Sequence, residues 1–111
     1  MIFADDRNFY EVLDSLRDEL VLINFLHDGK DFEKQLNLLL KTQQEYRYAF
    51  NVIIVSKAVS ENISRDFNVI GTPTIVVVQN GRQIDRFLGS MEAGELEEIL
   101  QKAMAAIELT K

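Results

Sequence analysis

Cysteine is absent from all 111 positions of the sequence. This absence excludes disulfide bonds, thiolate nucleophiles and every metal site that depends on a thiolate ligand. Tryptophan is absent too, and the chain has only one histidine and one proline. Stability must therefore come from a core of aliphatic and phenyl side chains, and any catalytic chemistry must come from groups other than thiols.

Long apolar runs are also missing. Runs such as Ile75–Val78 are far shorter than the stretch of about 20 residues that crosses a membrane. The N-terminal sequence, Met1–Asp6, has neither a basic region nor a long apolar region, which are the two marks of a signal peptide. We therefore expect no signal peptide and a cytoplasmic protein.

Positive charge is scarce. Eighteen acidic residues against 12 basic ones give a formal net charge of −6. Such a charge opposes binding to nucleic acid and to anionic lipid, so we expect neither partner. Hydrophobic residues make up 47% of the chain and charged residues 27%, which is typical of a globular protein. We expect a single domain over residues 1–111.

The first half of the chain alternates between helical and extended patterns. Apolar residues at helical spacing predict a helix over 6–18, with Asp5 or Asp6 as its cap. The almost wholly apolar run Leu20–Leu26 predicts a strand buried on both faces. Helical spacing returns after Asp31, a candidate N-cap, and continues toward Tyr46, with these residues on one face: Phe32, Leu36, Leu39, Leu40, Gln43.

The second half continues this alternation. Asn51–Ser56 predicts another buried strand, followed by a short helix over 59–67 with Ser60 as a candidate cap. Asn68 is expected to end that helix because asparagine tolerates a left-handed conformation. The single proline, Pro73, precedes a predicted strand over 74–79. A last helix is predicted over 92–108.

Asn80 and Gly81 join the strand over 74–79 to a strand over 82–88. An Asn-Gly pair between two strand-like runs is a strong signal for a tight hairpin. Strands separated by helices run parallel, whereas hairpin strands run antiparallel. With a short first strand at Ile2 and Phe3, the pattern predicts an α/β fold with a mixed sheet of four to five strands and helices on both faces.

This order of elements, together with several local sequences, resembles the thioredoxin family. Val69–Thr74 reads Val-Ile-Gly-Thr-Pro-Thr, similar to the family's Gly-X-Pro-Thr segment with its cis-proline. Asn80 and Gly81 fall at the family's hairpin turn, and Gly89 matches the glycine before its last helix. Leu22–Phe25 matches the strand that leads into its active-site loop. The resemblance covers nearly the whole chain and implies a thioredoxin fold.

The resemblance fails at the active site. The family's Cys-Gly-Pro-Cys motif falls on Lys30, Asp31, Phe32 and Glu33, and its buried acid falls on Asn24. Disulfide exchange needs a thiolate to attack and a second thiol to resolve the mixed disulfide, and lysine and glutamate supply neither. We therefore expect a chain with the family's fold but without its thiol–disulfide oxidoreductase activity.

The resemblance also implies a peptide-binding groove. In the family, the residue before the cis-proline pairs through its main chain with an extended peptide, which is a form of strand addition. Thr72 occupies that position. From the sequence alone, Pro73 is equally well explained as a simple strand start. Phe32 is either a core residue or an exposed anchor for a partner, and we favour the core. The rim implied by the resemblance is Gly29, Lys30, Phe32, Thr72, Pro73 and Gly89.

Three functions remain open at this point. The first is a non-catalytic module that binds a protein or an extended peptide as a subunit, adaptor or holdase-like helper, with no cofactor. The second is an accessory factor that binds the proteins of a thiol-redox pathway without transferring electrons. The third is an enzyme with non-thiol chemistry on the loop between His27 and Glu33.

The third function depends on a charged cluster in that loop. One histidine with nearby carboxylates is a conceivable metal site, but we favour a solvated loop of mixed charge, and we expect no metal. His27 could also serve as a base for Ser56 or Ser60, although no oxyanion motif accompanies them. The cluster comprises His27, Asp28, Lys30, Asp31 and Glu33.

Overall fold

Continuous β-branched and aliphatic runs form the strands of this chain, and amphipathic segments form its helices. The computed structural model describes residues 1–27, 32–47, 49–56 and 60–109, with the backbone alone for residues 108 and 109. The strands are β1 (Ile2–Ala4), β2 (Val21–Leu26), β3 (Asn51–Ser56), β4 (Thr74–Gln79) and β5 (Arg82–Leu88). The helices are α1 (Phe9–Ser15), α2 (Phe32–Glu45), α3 (Glu61–Asp66) and α4 (Ala93–Leu109).

The strands form one mixed sheet in the order β1-β3-β2-β4-β5. β3 runs parallel to both β1 and β2, whereas β4 runs antiparallel to its neighbours β2 and β5. The strand β2 therefore lies at the centre, and all six of its residues are buried. The predicted α/β architecture with a mixed sheet is confirmed.

Each face of the sheet has its own hydrophobic cluster, because alternate side chains of a strand point to opposite faces. One cluster contains Leu22, Ile54 and Val77 and packs against α2 and α4. Its buried helical members are Leu39, Leu96, Ile99, Leu100 and Ala103. The other contains Ile23, Ile53 and Val76 and packs against α1 and α3. Phe9 and Ile63 are its buried helical members.

Residues with positive φ angles lie at the ends of helices and strands, at positions that the sequence predicts. Asn80 and Gly81 have φ angles of 53° and 74°, as the two central residues of a type I′ hairpin turn require. Asn68, at φ 54°, follows the end of α3. The hairpin also contains a register shift between Val77 and Val78, so that β5 has one extra residue, Ile84, opposite them.

Two short helices differ from their predicted limits. The helix predicted over 6–18 spans only Phe9–Ser15, because the preceding residues form a turn in which the N–H groups of Asn8 and Phe9 both donate to the Asp5 carbonyl. The helix predicted over 59–67 spans Glu61–Asp66, with Ser60 at its N-cap position. The Ser60 side chain makes no capping hydrogen bond, so that part of the prediction is wrong.

Side chains from distant segments stabilise α3 instead. The Asp6 carboxylate accepts the N–H groups of Asn62 and Ile63, at 3.3 and 3.1 Å. These donors lie in the first turn of α3 and would otherwise lack intrahelical partners. The sequence pattern places Asp6 at the cap of α1, whereas the structure shows it at the start of α3.

The other end of α3 is also held by side chains from elsewhere in the chain. The Tyr10 hydroxyl donates to the Asp66 carboxylate, and the Arg86 guanidinium donates to the carbonyls of Phe67 and Asn68. Burial, followed by the hydrogen bond to Asp66, raises the pKa of Tyr10 to about 12. The phenol therefore stays protonated, and able to donate, at neutral pH.

None of the helices in the described part of the chain combines the length and the apolar character that crossing a membrane requires. The longest, α4, buries only one face, formed by Leu96, Ile99, Leu100 and Ala103.

Replacement of Asp6 by alanine tests the capping of α3. We expect Asp6→Ala to lower the free energy of unfolding by about 1–2 kcal/mol, because two N–H groups of the first turn lose their acceptor. Urea unfolding followed by circular dichroism measures the change. Asp18→Ala, at an exposed carboxylate outside the helices, is the matched control and should change stability by less than about 0.5 kcal/mol. Equal stability of the two variants would contradict the assignment.

Candidate functional site

The described residues of the implied binding rim come from separate segments near one end of the sheet: Phe32, Thr72, Pro73 and Gly89. We call this the loop end: β2, β3 and β5 finish there, and β4 begins there. The predicted site residues Gly29, Lys30 and Asp31 lie outside the described residues. The same holds for Asp28, which belongs to the charged cluster considered above.

α2 begins at Phe32, directly after this loop. The phenyl ring of Phe32 is half-buried and packs against the cluster beneath α2 and α4. Glu33 is exposed in the first turn, where a carboxylate interacts favourably with the positive end of the helix. Phe32 therefore contributes to the core while keeping part of its surface in solvent.

Pro73 and Gly89 face each other across the hairpin. The peptide bond between Thr72 and Pro73 is cis. The Gly89 N–H donates to the Pro73 carbonyl at 2.9 Å, and the Thr74 hydroxyl donates to the Gly71 carbonyl at 2.6 Å. Gly89 adopts a φ of 108°, which a residue with a side chain rarely adopts. These contacts bring three predicted rim residues, Thr72, Pro73 and Gly89, together.

Two large apolar side chains are exposed beside this segment. Ile70 is 90% exposed and Leu88 is 68% exposed. They lie close to the predicted rim, since a Cβ added at Gly71 would be only 3.4 Å from the Leu88 Cδ1 atom. The sequence pattern places Leu88 at the end of a strand and gives no sign that its side chain is left in water.

A buried glutamine fixes the segment that follows Gly89. Gln35 of α2 is 4% exposed, and its amide nitrogen donates to the Met91 carbonyl at 3.2 Å. Its amide oxygen accepts the Met91 N–H at 3.4 Å. This pair of hydrogen bonds ties α2 to the connection between β5 and α4. The site thus rests on hydrogen bonds between elements that are far apart in the sequence.

With this geometry in place, comparison with known proteins identifies the family. The model of the thioredoxin-like domain matches residues 5–104. The chain belongs to the thioredoxin-like family. None of the curated proteins matches the chain in sequence.

Solved thioredoxin structures share the fold of this thioredoxin-like chain. A thioredoxin from Fasciola hepatica superposes with a TM-score of 0.81 at 17% identity, covering 92% of this chain and 98% of its own. A reduced thioredoxin pre-protein from Schistosoma mansoni superposes with a TM-score of 0.76 at 22% identity, covering 91% and 95%. At such low identity the likeness establishes the fold alone.

One polar but uncharged side chain lies in the centre of the sheet of this thioredoxin-like chain. Asn24, in the centre of β2, is 1% exposed, and its side-chain nitrogen donates to the Leu22 carbonyl at 3.2 Å. Its neighbours in the sheet are Ile54 and Ile75. An asparagine satisfies part of its hydrogen bonding here without placing a charge among aliphatic side chains.

Of the charged cluster considered for non-thiol chemistry, only His27 and Glu33 lie within the described residues. Ser60, one of the two candidate nucleophiles, is fully buried, so a substrate could not reach it. Ser56 ends β3 and is half-buried, opposite Leu26 in the sheet. Over residues 1–27, 32–47, 49–56 and 60–109, no three histidine, aspartate or glutamate side chains lie close enough together to hold a metal ion.

Sequence analysis missed the polar anchors of the site. Gln35 and Thr42 of α2 are buried, whereas Leu40, predicted on the apolar face, is 37% exposed. The face that α2 buries is therefore rotated from the one defined by the leucines alone. A buried glutamine leaves no hydrophobic signal in the sequence, and its backbone partner, Met91, is 56 residues away.

Replacement of Asn24 by aspartate tests the need for a neutral group in the core. Burial should raise the pKa of the new carboxyl well above its unfolded value of about 4, so the ionised form opposes folding. Below pH 4 the variant should be nearly as stable as the wild type. Stability should fall as the pH rises through the raised pKa, with a loss of about 3 kcal/mol at pH 7.

Urea unfolding between pH 3.5 and pH 8 measures this dependence. Asn37→Asp, at an exposed position of α2, is the matched control and should show no comparable loss. A variant at position 24 whose stability relative to the wild type does not change with pH would show that this position accommodates a charge.

Proposed function

We propose that this thioredoxin-like chain is a single non-catalytic domain over residues 1–111 that binds an extended segment of another protein. The binding surface is the groove beside Pro73, with Thr72 and Gly89 on its two sides. The net charge of −6 favours a protein partner over nucleic acid or an anionic membrane.

The exposed apolar pair beside the groove is the observation that carries this proposal. Isoleucine and leucine gain about 1.5–3 kcal/mol each when they pass from water into an apolar environment. Ile70 and Leu88 gain little of this in the free chain, because 90% and 68% of their surfaces remain exposed. A partner lying across Pro73 would cover both side chains.

The conformation of the main chain near Thr72 favours a partner that binds as an extended segment. The pairing of β4 with β2 and β5 begins at Thr74, so Thr72 lies outside the sheet. It is half-exposed, and the two hydrogen bonds at Pro73 and Gly71 hold the segment in place. A fixed backbone flanked by apolar side chains suits recognition by strand addition, in which main-chain hydrogen bonds supply affinity and side chains supply specificity.

Selection of peptides from a displayed library tests the groove. Random linear peptides without cysteine are selected on the immobilised chain, and their affinities are measured by fluorescence polarisation. We expect Ile70→Glu and Leu88→Glu each to weaken binding by about tenfold or more, because each places a charge where an apolar contact is made.

Phe3→Glu is the matched control. Phe3 is also an exposed apolar residue, at 57%, but it lies on β1, at the opposite edge of the sheet from β5. Its substitution should leave the affinity within about twofold of the wild type. Failure to select any peptide, or equal weakening by all three substitutions, would contradict the proposed site.

The absence of thiol chemistry is tested by insulin reduction. With dithiothreitol as the electron donor, the rate in the presence of this chain should equal the rate with dithiothreitol alone, because the chain offers no thiolate to attack the insulin disulfides. A thioredoxin with two active-site cysteines is the positive control. Turbidity that develops clearly faster than in the blank would overturn the assignment of a redox-inactive protein.

A further inference from the structure

A second groove lies at the end of the sheet opposite Pro73, where β2 and β3 begin and β4 finishes. One part of it, of about 410 Å³, has a floor of Leu20, Met104 and Ile107. Another part, of about 300 Å³, is lined by Arg82, Ile84 and Ile107. The two parts adjoin at Gln79 and Ile107, which line both, and together we call them the far groove. Arg82 places a positive charge in the smaller part, so the acidic side chains belong to the larger part alone.

The polar groups of the larger part accept hydrogen bonds. Asp18 and Glu19 contribute carboxylates to its lining. The side-chain oxygen of Gln79 is buried and has no hydrogen-bond partner among the described residues. An unpaired buried acceptor is costly in free energy, and a ligand that donates a hydrogen bond would remove this cost.

Helix orientation adds to the negative character of this end. α1 ends at Ser15 and α2 at Glu45, each a short connection before β2 and β3 begin, and the C-terminal part of α4 lines the far groove through Ile107. The C-terminus of a helix carries partial negative charge, which proteins often balance with a basic side chain in the last turn. The last turns of these three helices hold no basic residue. Arg17 and Arg47 follow the ends of α1 and α2, and Arg17 is paired with Asp14.

We propose that the far groove binds a basic and apolar segment of a partner protein. An arginine or lysine of that segment lays its alkyl stem on Leu20 and Met104 and directs its charged group to Asp18 and Glu19. The Gln79 side chain turns its unpaired oxygen, buried in the free chain, toward that charged group and accepts a further hydrogen bond. A neighbouring apolar residue of the segment covers Ile84 in the smaller part.

Charge complementarity and length decide the kind of occupant. The acceptors of the larger part match a donor-rich cation, and its aliphatic floor matches the methylene chain of arginine or lysine. The apolar lining continues past Gln79 to Ile84, so a peptide with an apolar side chain uses more of the groove than a small amine can. This site is independent of the groove beside Pro73, since it lies at the other end of the sheet.

Amide chemical-shift mapping tests the proposal. The 15N-labelled chain is titrated with the peptide acetyl-Gly-Arg-Leu-Arg-Leu-Gly-amide and, separately, with the same peptide carrying glutamate in place of arginine. We expect only the arginine peptide to shift the amide signals of Leu20, Ala49 and Gln79. The combined variant Asp18→Asn and Glu19→Gln should weaken this binding by about fivefold. The matched control is Glu95→Gln with Glu98→Gln, at exposed sites on α4, and should not weaken it.

Other results would overturn the proposal. Shifts of equal size with both peptides, shifts that persist unchanged in the Asp18 and Glu19 variant, or shifts confined to the Pro73 groove would each contradict it. Spermidine binding as tightly as the arginine peptide would assign the groove to small organic cations instead. Shifts of the far-groove amide signals when the chain is concentrated without peptide would assign the far groove to a second copy of the chain.

Discussion

Burial of the central strand on both faces is the constraint on which the rest of the structure depends. All six residues of β2 are buried, and they pair with β3 on one side and β4 on the other. A strand in this position needs helices above and below it, and it admits a polar side chain only with a hydrogen-bond partner. Asn24 meets this condition through the Leu22 carbonyl. The neutral amide of Asn24 therefore places no charge among the aliphatic side chains at the centre of the sheet.

The candidate site depends on anchors that lie outside it. Asp6, Tyr10 and Arg86 hold the two ends of α3, and α3 leads directly into the segment that carries Pro73. Gln35 holds the segment that carries Gly89. The backbone framework of the groove thus survives without the reactive loop. The proposed surface combines a hydrogen-bonded backbone at Pro73 and Gly89 with an apolar edge at Ile70 and Leu88.

The strands could be predicted from the sequence to within a residue, because runs such as Asn51–Ser56 carry their β-propensity and burial locally. The hairpin turn was equally predictable, since Asn80 and Gly81 supply the two positive φ angles that it needs. The limits of α1 and α3 could not be predicted from the sequence, because the carboxylate that stabilises the start of α3 lies 56 residues away in the chain. The exposure of Ile70 and the far groove could not be predicted from the sequence either, since both depend on which surfaces the folded chain leaves uncovered.

An affinity capture from the native cell, read by mass spectrometry, tests the central claim most directly. The baits are the wild type, a groove variant carrying Thr72→Lys and Leu88→Glu, and a control carrying Phe3→Glu and Leu40→Glu at exposed apolar positions outside both grooves, all with the same fold by circular dichroism. We expect a partner that the wild type and the control retain and that the groove variant loses. A set of partners that is the same for all three baits would contradict it and remove the Pro73 groove from the function of this chain.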